Sequence, residues 1–215
     1  MSSVLSRKEI KEVLEILEER FPDARAELDH TNPFELLIAT ILSAQCTDVR
    51  VNKVTKDLFK DLKTPEDYLE LSPEELGERI RSCGFYNMKS KNILGACKML
   101  VEDYNSELPR TIEELQKLPG VGRKTANVVA SVAFGVPAIA VDTHVFRISN
   151  RIGLAKAKNV EKTEIQLMEN IDRDMWTKAH HLMIFHGRRI CKSQKPLCGD
   201  CPVRGYCNYY RENNK

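Results

Sequence analysis

No stretch of this sequence is apolar for long enough to cross a membrane. The longest nearly uncharged run, Thr125 to Val141, falls short of a span and is broken by Gly135 and Pro137. The N-terminus, Met1-Ser2-Ser3-Val4-Leu5-Ser6-Arg7, lacks the apolar core of a signal peptide. Period-2 alternation and long-period repeats are missing as well, so the sequence predicts neither strands nor a solenoid. These absences point to an all-α chain in the cytoplasm. In that reducing compartment the seven cysteines do not imply disulfides, and a local cluster of them points instead to metal.

What is present allows a substantial core. With 215 residues and 42% hydrophobic content, the chain can fold as one large domain or two small ones. The net charge of +2 conceals an asymmetry. Residues 1 to 116 carry 16 Lys+Arg against 23 Asp+Glu, and residues 117 to 215 carry 17 against 8, so the halves stand at −7 and +9. The basic C-terminal half suits a polyanionic partner.

Helix starts punctuate the chain. Ser6-Arg7-Lys8-Glu9 is a capping box ahead of a stripe through Ile10, Val13, Leu14 and Leu17 that ends near Pro22. Asn32-Pro33 opens a second helix, followed by Ser43-Ala44-Gln45-Cys46-Thr47-Asp48, in which Asp48 is expected to cap the next helix. Thr64-Pro65 and Ser72-Pro73 start two more, the latter stopping at Cys83-Gly84. Phe85-Tyr86-Asn87-Met88-Lys89-Ser90-Lys91 then reads as a loop of aromatics and lysines, either plugging a core or stacking on bases. Thr111-Ile112-Glu113-Glu114 is a further capping box. Helical patterns also cover Val145 to Ile148, Glu161 to Met168 and Lys178 to Phe185.

The chemistry centres on Leu118-Pro119-Gly120-Val121-Gly122-Arg123-Lys124-Thr125-Ala126. A Gly-x-Gly turn between helices lets backbone N–H groups reach a ligand, because glycine has no Cβ to obstruct positive φ or close approach. Joined to the positive end of the following helix, Gly120, Gly122 and Arg123 form a site for phosphate oxygens. Lys124, on the first turn, feels that positive end and Arg123, and both disfavour its charged form. A neutral amine is a nucleophile. Asp142 follows 18 residues later, after a helix and a return segment. It is suited both to capping a helix and to acting as a carboxylate.

Cys191, Cys198, Cys201 and Cys207 make C-x6-C-x2-C-x5-C within 17 residues. Four thiolates so close are a metal site, and the spacing leaves zinc and an iron–sulfur cluster both open. Cys46, Cys83 and Cys97, scattered among helices, are expected to be buried hydrophobes. His180, His181 and His186 are expected to be structural.

Leu118 to Asn127, Ala140-Val141-Asp142-Thr143-His144 and the cysteine spacing together resemble the endonuclease III family of helix-hairpin-helix DNA glycosylases, from about Phe21-Pro22 to Cys207. The resemblance implies two helical domains with a cleft between them. Residues 25–136 would form a six-helix barrel, and 1–24 with 137–215 an iron–sulfur domain. It implies excision of oxidised pyrimidines from duplex DNA and cleavage of the abasic strand by β-elimination. Lys124 matches the Schiff-base lysine, Asp142 the catalytic aspartate, and the four cysteines the ligands of a [4Fe-4S] cluster. Gln45 matches the residue that fills the gap left by an extruded nucleotide, and Phe85 lies where an apolar wedge enters the opposite strand. Lys195 matches a phosphate contact, and Asp48 and His144 match pocket residues. The hairpin can also hold a monovalent cation through carbonyls around Gln116, Leu118 and Val121. A nucleoid-associated monomer acting on oxidised or abasic duplex DNA is expected. The competing readings are a monofunctional, adenine-removing relative and a noncatalytic DNA-binding module with a zinc-stabilised tail.

Overall fold

The computed structural model describes residues 3–213. Met1 and Ser2, part of the N-terminal stretch read above, and Asn214 and Lys215 lie outside the described residues. Among those described there are helices and turns but no strand. The chain divides into two compact units. One runs from Glu27 to Val136, and the other joins the residues up to Ala26 to those from Pro137 onward.

α1 (Arg7–Arg20) opens the discontinuous unit. Its capping box is made in full: Glu9 N–H donates to Ser6 Oγ at 3.3 Å and Ser6 N–H donates to the Glu9 carboxylate at 2.8 Å. Ile10, Val13, Leu14 and Leu17 are the buried stripe, as the 3.6-residue period requires.

α2 (Pro33–Leu42) begins the continuous unit, with Asn32 as cap and Pro33 at its first turn. Every residue from Phe34 to Leu42 is buried, the mark of a helix enclosed on all sides. Around it come α3 (Asp48–Asp61), α4 (Pro65–Leu69), α5 (Pro73–Arg79) and α6 (Tyr86–Asp103). A 3-10 turn over Arg81–Cys83 links the last two. α7 (Ile112–Leu115) and α8 (Arg123–Phe134) complete the unit, and α8 packs on α2.

Several boundaries differ from expectation for local reasons. Thr47, rather than Asp48, caps α3, its Oγ1 accepting from Arg50 N–H at 3.3 Å, so Asp48 is the first helical residue. The Thr111 box is half made, because the Glu114 side chain turns to Tyr104 and Lys117 instead. α6 starts at Tyr86, so Asn87 to Lys91 belong to a helix and not to a loop.

α9 (Thr143–Ile152), α10 (Val160–Asn170), α11 (Trp176–Arg189) and α12 (Asn208–Asn213) return to the discontinuous unit. α9 and α11 pack against each other, and α1 lies on α11. Phe21 meets Phe185 edge-on at 6.3 Å within a core that includes Leu17, Val145, Ile148 and Leu182.

Candidate active site and metal centre

The hairpin sits in the continuous unit. α7 leads through Leu118-Pro119 into the turn, where Val121 N–H donates to Leu118 O at 3.0 Å. Gly120 has φ +79°, and a Cβ there would stand 2.8 Å from Cβ of Asn92, so both conformation and space demand glycine. Gly122 differs. Its φ of −84° and ψ of 176° suit any residue, and a Cβ built there meets nothing within 4 Å. The fold itself therefore does not require glycine here. Gly122 is also the N-cap of α8 and provides no side-chain cap, so the helix start relies on other partners for its first N–H groups. Lys124 is exposed on that first turn.

Two further turns of this unit hold non-glycine residues in the left-handed region. Gln45 has φ 56° and Phe85 has φ 49°, and both side chains are exposed, Phe85 at 67%. An exposed apolar ring on a strained backbone is costly to keep without a partner. The two turns are neighbours, because one side chain on α6 reaches the carbonyl of Leu42, ahead of the first, and that of Cys83, ahead of the second. Lys89 is not a loop lysine: it is buried, and Nζ donates to Leu42 O at 2.8 Å and Cys83 O at 2.9 Å. Burial pushes its pKa down. Cys83 and Cys97 are buried as expected, whereas Cys46 is half-exposed.

Asp142 belongs to the other unit. It caps α9, its Oδ1 accepting from Val145 N–H at 2.8 Å, which leaves the second carboxylate oxygen beyond the cap. His144 is half-buried one turn in, with Nδ1 3.2 Å from the Arg147 guanidinium. Arg147 also donates to Cys191 O through Nε at 3.2 Å and to Gly187 O at 3.0 Å. Arg151, one turn on, reaches Lys192 O at 2.7 Å, Ser193 O at 2.9 Å and Cys191 Sγ at 3.5 Å. Spaced four apart, the two arginines share a helix face and clamp the start of the cysteine loop. Their spacing is visible in the sequence, but the loop they hold is far from them along the chain.

The four cysteines line one cavity, walled also by Ile152 and Ile190. The Cys207 thiol donates to Arg151 O at 3.3 Å. Burial holds the Cys201 thiol up at about 11, so this sulfur becomes a thiolate when a cation replaces its proton. Four thiols around a largely apolar cavity suit the several irons of a cluster. His186 is wholly buried on α11, with Nε2 3.7 Å from Cys201 Sγ and no hydrogen-bond partner for Nδ1. Burial lowers its pKa to about 4, leaving a neutral ring with one nitrogen set against the Cys201 sulfur. His180 and His181 are buried too. Lys192 and Lys195 are exposed in the loop, Lys195 at φ 48°, while Arg189 stacks 4.2 Å over Phe185 and lies 3.8 Å from Asp23.

Residues 38–173 match the model of the HhH-GPD superfamily base excision DNA repair proteins, and residues 191–207 match the iron-sulfur binding domain of endonuclease III. The second match begins and ends on the outer two cysteines. Endonuclease III of Bacillus subtilis (strain 168) is 52% identical over 213 residues, 99% of this chain and 97% of its own. The chain belongs to the endonuclease III family. The Escherichia coli (strain K12) member is 47% identical over 198 residues, 92% of this chain and 94% of its own. A structure of a trapped endonuclease III–DNA covalent intermediate superposes with a TM-score of 0.94 at 52% identity, covering 98% of this chain and all of that one. Membership makes the chain a base excision DNA glycosylase with abasic-site lyase activity. Its cysteine loop carries a [4Fe-4S] cluster.

Proposed function

We propose that Lys124 is the nucleophile and Asp142 its acid–base partner in removing oxidised pyrimidines from duplex DNA and cutting the resulting abasic strand. The supporting observation is the exposed lysine on the first turn of α8, beside a glycine whose missing side chain the fold itself does not require. The relative captured as a covalent intermediate with DNA supports a covalent route.

The steps follow from what the groups can do. The damaged nucleotide leaves the stack so that C1′ of its sugar becomes reachable. Phosphates of the same strand rest on the N–H groups at Gly120 to Arg123, with Lys195 adding charge from the cysteine loop. Gln45 fills the vacated space, Phe85 wedges the facing strand, and Asp48 and His144 line the pocket. Neutral Lys124 attacks C1′ and the base departs, taking the glycosidic electron pair and a proton. Asp142 accepts a proton from the lysine nitrogen and stabilises positive charge on the sugar. Ring opening gives an imine, which acidifies the 2′ proton, and its loss expels the 3′ phosphate. Water finally releases Lys124.

A monovalent cation on the carbonyls of Gln116, Leu118 and Val121 belongs to the same reading, as do a monomeric state and a cytoplasmic, nucleoid-associated setting. Duplex DNA carrying one thymine glycol tests it. A strand break without alkali is expected. A nick that appears only after alkali would indicate a monofunctional glycosylase, and binding without reaction a noncatalytic module.

A further inference from the structure

Lys89 takes no part in the repair chemistry described above, and its place is unusual for a lysine. It is 5% exposed, with Nζ on the carbonyl oxygens of Leu42 and Cys83. Taking an ammonium out of water is costly. A fold that needed only to fill this space would do so more stably with an apolar side chain. The charge is therefore kept for what it holds.

Both carbonyls end their elements. Leu42 is the last residue of α2 and Cys83 the last of the 3-10 turn, where carbonyls have no partner within their own helix. The ammonium gives each a charge-assisted donor, stronger than a neutral one. Beyond each carbonyl the chain passes through positive φ. Gln45, three residues after Leu42, stands at 56°, and Gly84 and Phe85, directly after Cys83, stand at 70° and 49°. Phe85 is tied a second time, because the backbone N–H of Lys89 donates to Phe85 O at 3.0 Å. Non-glycine residues persist in this region only where their surroundings over-determine them. One residue thus fastens both turns, and with them the exposed side chains of Gln45 and Phe85.

We propose that Lys89 is a positioning residue for nucleotide extrusion, holding Gln45 and Phe85 at the spacing with which they enter the duplex together. The proposal rests on the roles given above to those two side chains. One must occupy the vacated space while the other parts the facing strand, so a change in their separation leaves one of them out of place. Lys89 itself touches neither DNA nor the reacting atoms. Its loss should slow the opening of the duplex and spare imine formation at Lys124.

The test compares two substrates in the holoprotein. Lys89→Met keeps the length of the side chain and removes its donors. On a thymine-glycol duplex its single-turnover excision should fall roughly ten- to a hundredfold, the scale set by a displacement of about 1 Å at a site that must be aligned. The fluorescence rise of a 2-aminopurine beside the lesion, which reports unstacking, should slow in parallel. An abasic site in a single-stranded oligonucleotide has no facing strand to part, and there the borohydride-trapped adduct should form as fast as in wild type. In a Phe85→Ala background Lys89→Met should cost less than it does alone, since one of the side chains it holds is gone. Lys89→Gln, which keeps a neutral donor, is read on the same substrates should Lys89→Met fold poorly. Trapping on the single strand that falls as far as duplex excision would overturn the proposal, leaving Lys89 a general structural residue. If Gln45→Ala and Phe85→Ala lose duplex excision while Lys89→Met keeps it, the proposal fails and the roles of Gln45 and Phe85 stand. If all three variants excise like wild type, those roles fail and the proposal with them.

Discussion

Gly122→Ala should leave the fold intact and weaken DNA binding. At Gly122 the backbone already has φ −84°, and an added Cβ meets nothing within 4 Å. Alanine is a poorer helix cap than glycine but also restricts the unfolded chain, so the two effects offset to within about 0.5 kcal/mol. If a phosphate rests on the N–H groups of this turn, the new methyl stands in its path. Losing one charge-assisted hydrogen bond costs about 1.5–3 kcal/mol, or roughly ten- to a hundredfold in Kd. Gly120→Ala should behave in the opposite way. Its φ of +79° and the 2.8 Å approach to Asn92 combine ~1–2 kcal/mol of backbone strain with ~1–3 kcal/mol of overpacking, all of it lost stability. Urea unfolding measures the first quantity. Fluorescence anisotropy with a duplex bearing an uncleavable abasic analogue, at one fixed salt concentration, measures the second. A Gly122→Ala protein that binds this duplex as tightly as wild type would refute the phosphate-turn reasoning.

Asp142→Asn should keep the α9 cap, since Asn caps as well as Asp, and hold stability within about 0.5 kcal/mol. It should nevertheless lower single-turnover base excision by roughly 10²–10⁴ as the carboxylate disappears. His181, buried beside Lys178, has its pKa lowered to about 4. The unfolded chain therefore takes up a proton that the folded chain refuses, and stability present above pH ~6.5 is lost as the pH falls toward 4, by about 3 kcal/mol. Urea unfolding across that window should show a shallower slope in His181→Leu than in wild type, the remainder belonging to His186, whose pKa is lowered in the same way. Arg147→Met removes the donors to Cys191 O and Gly187 O; each unpaired carbonyl costs about 1–3 kcal/mol. The cluster's visible absorbance should then decay faster under chelator than in wild type.

How much of this was legible beforehand depended on whether the signal was local. The caps at Ser6, Asn32 and Asp142 are short-range patterns and lie where the sequence placed them. The cysteine spacing likewise announced a metal loop within a few residues. Lys89 was misread because burial of a lysine depends on carbonyls 47 and 6 residues away, which no local pattern reveals. Cys46 is half-exposed rather than buried, and nothing in its neighbours discloses that the α2–α3 turn faces outward. The left-handed backbone at Gln45 and Phe85 was equally hidden, since neither is a residue type that favours positive φ. Arg147 and Arg151 were legible in principle, four residues apart on the helix that Asp142 caps. Without the fold, no cysteine loop was there for them to clamp.

The central claim is that the amine of Lys124 itself forms the covalent bond to DNA. Borohydride reduction during reaction with a thymine-glycol duplex, followed by proteolysis and mass spectrometry of the cross-linked peptide, tests this directly. Wild type should yield one adduct, located at Lys124. Lys124→Gln should bind the same duplex and yield none. An adduct that persists in Lys124→Gln, or that maps to another residue in wild type, would contradict the account.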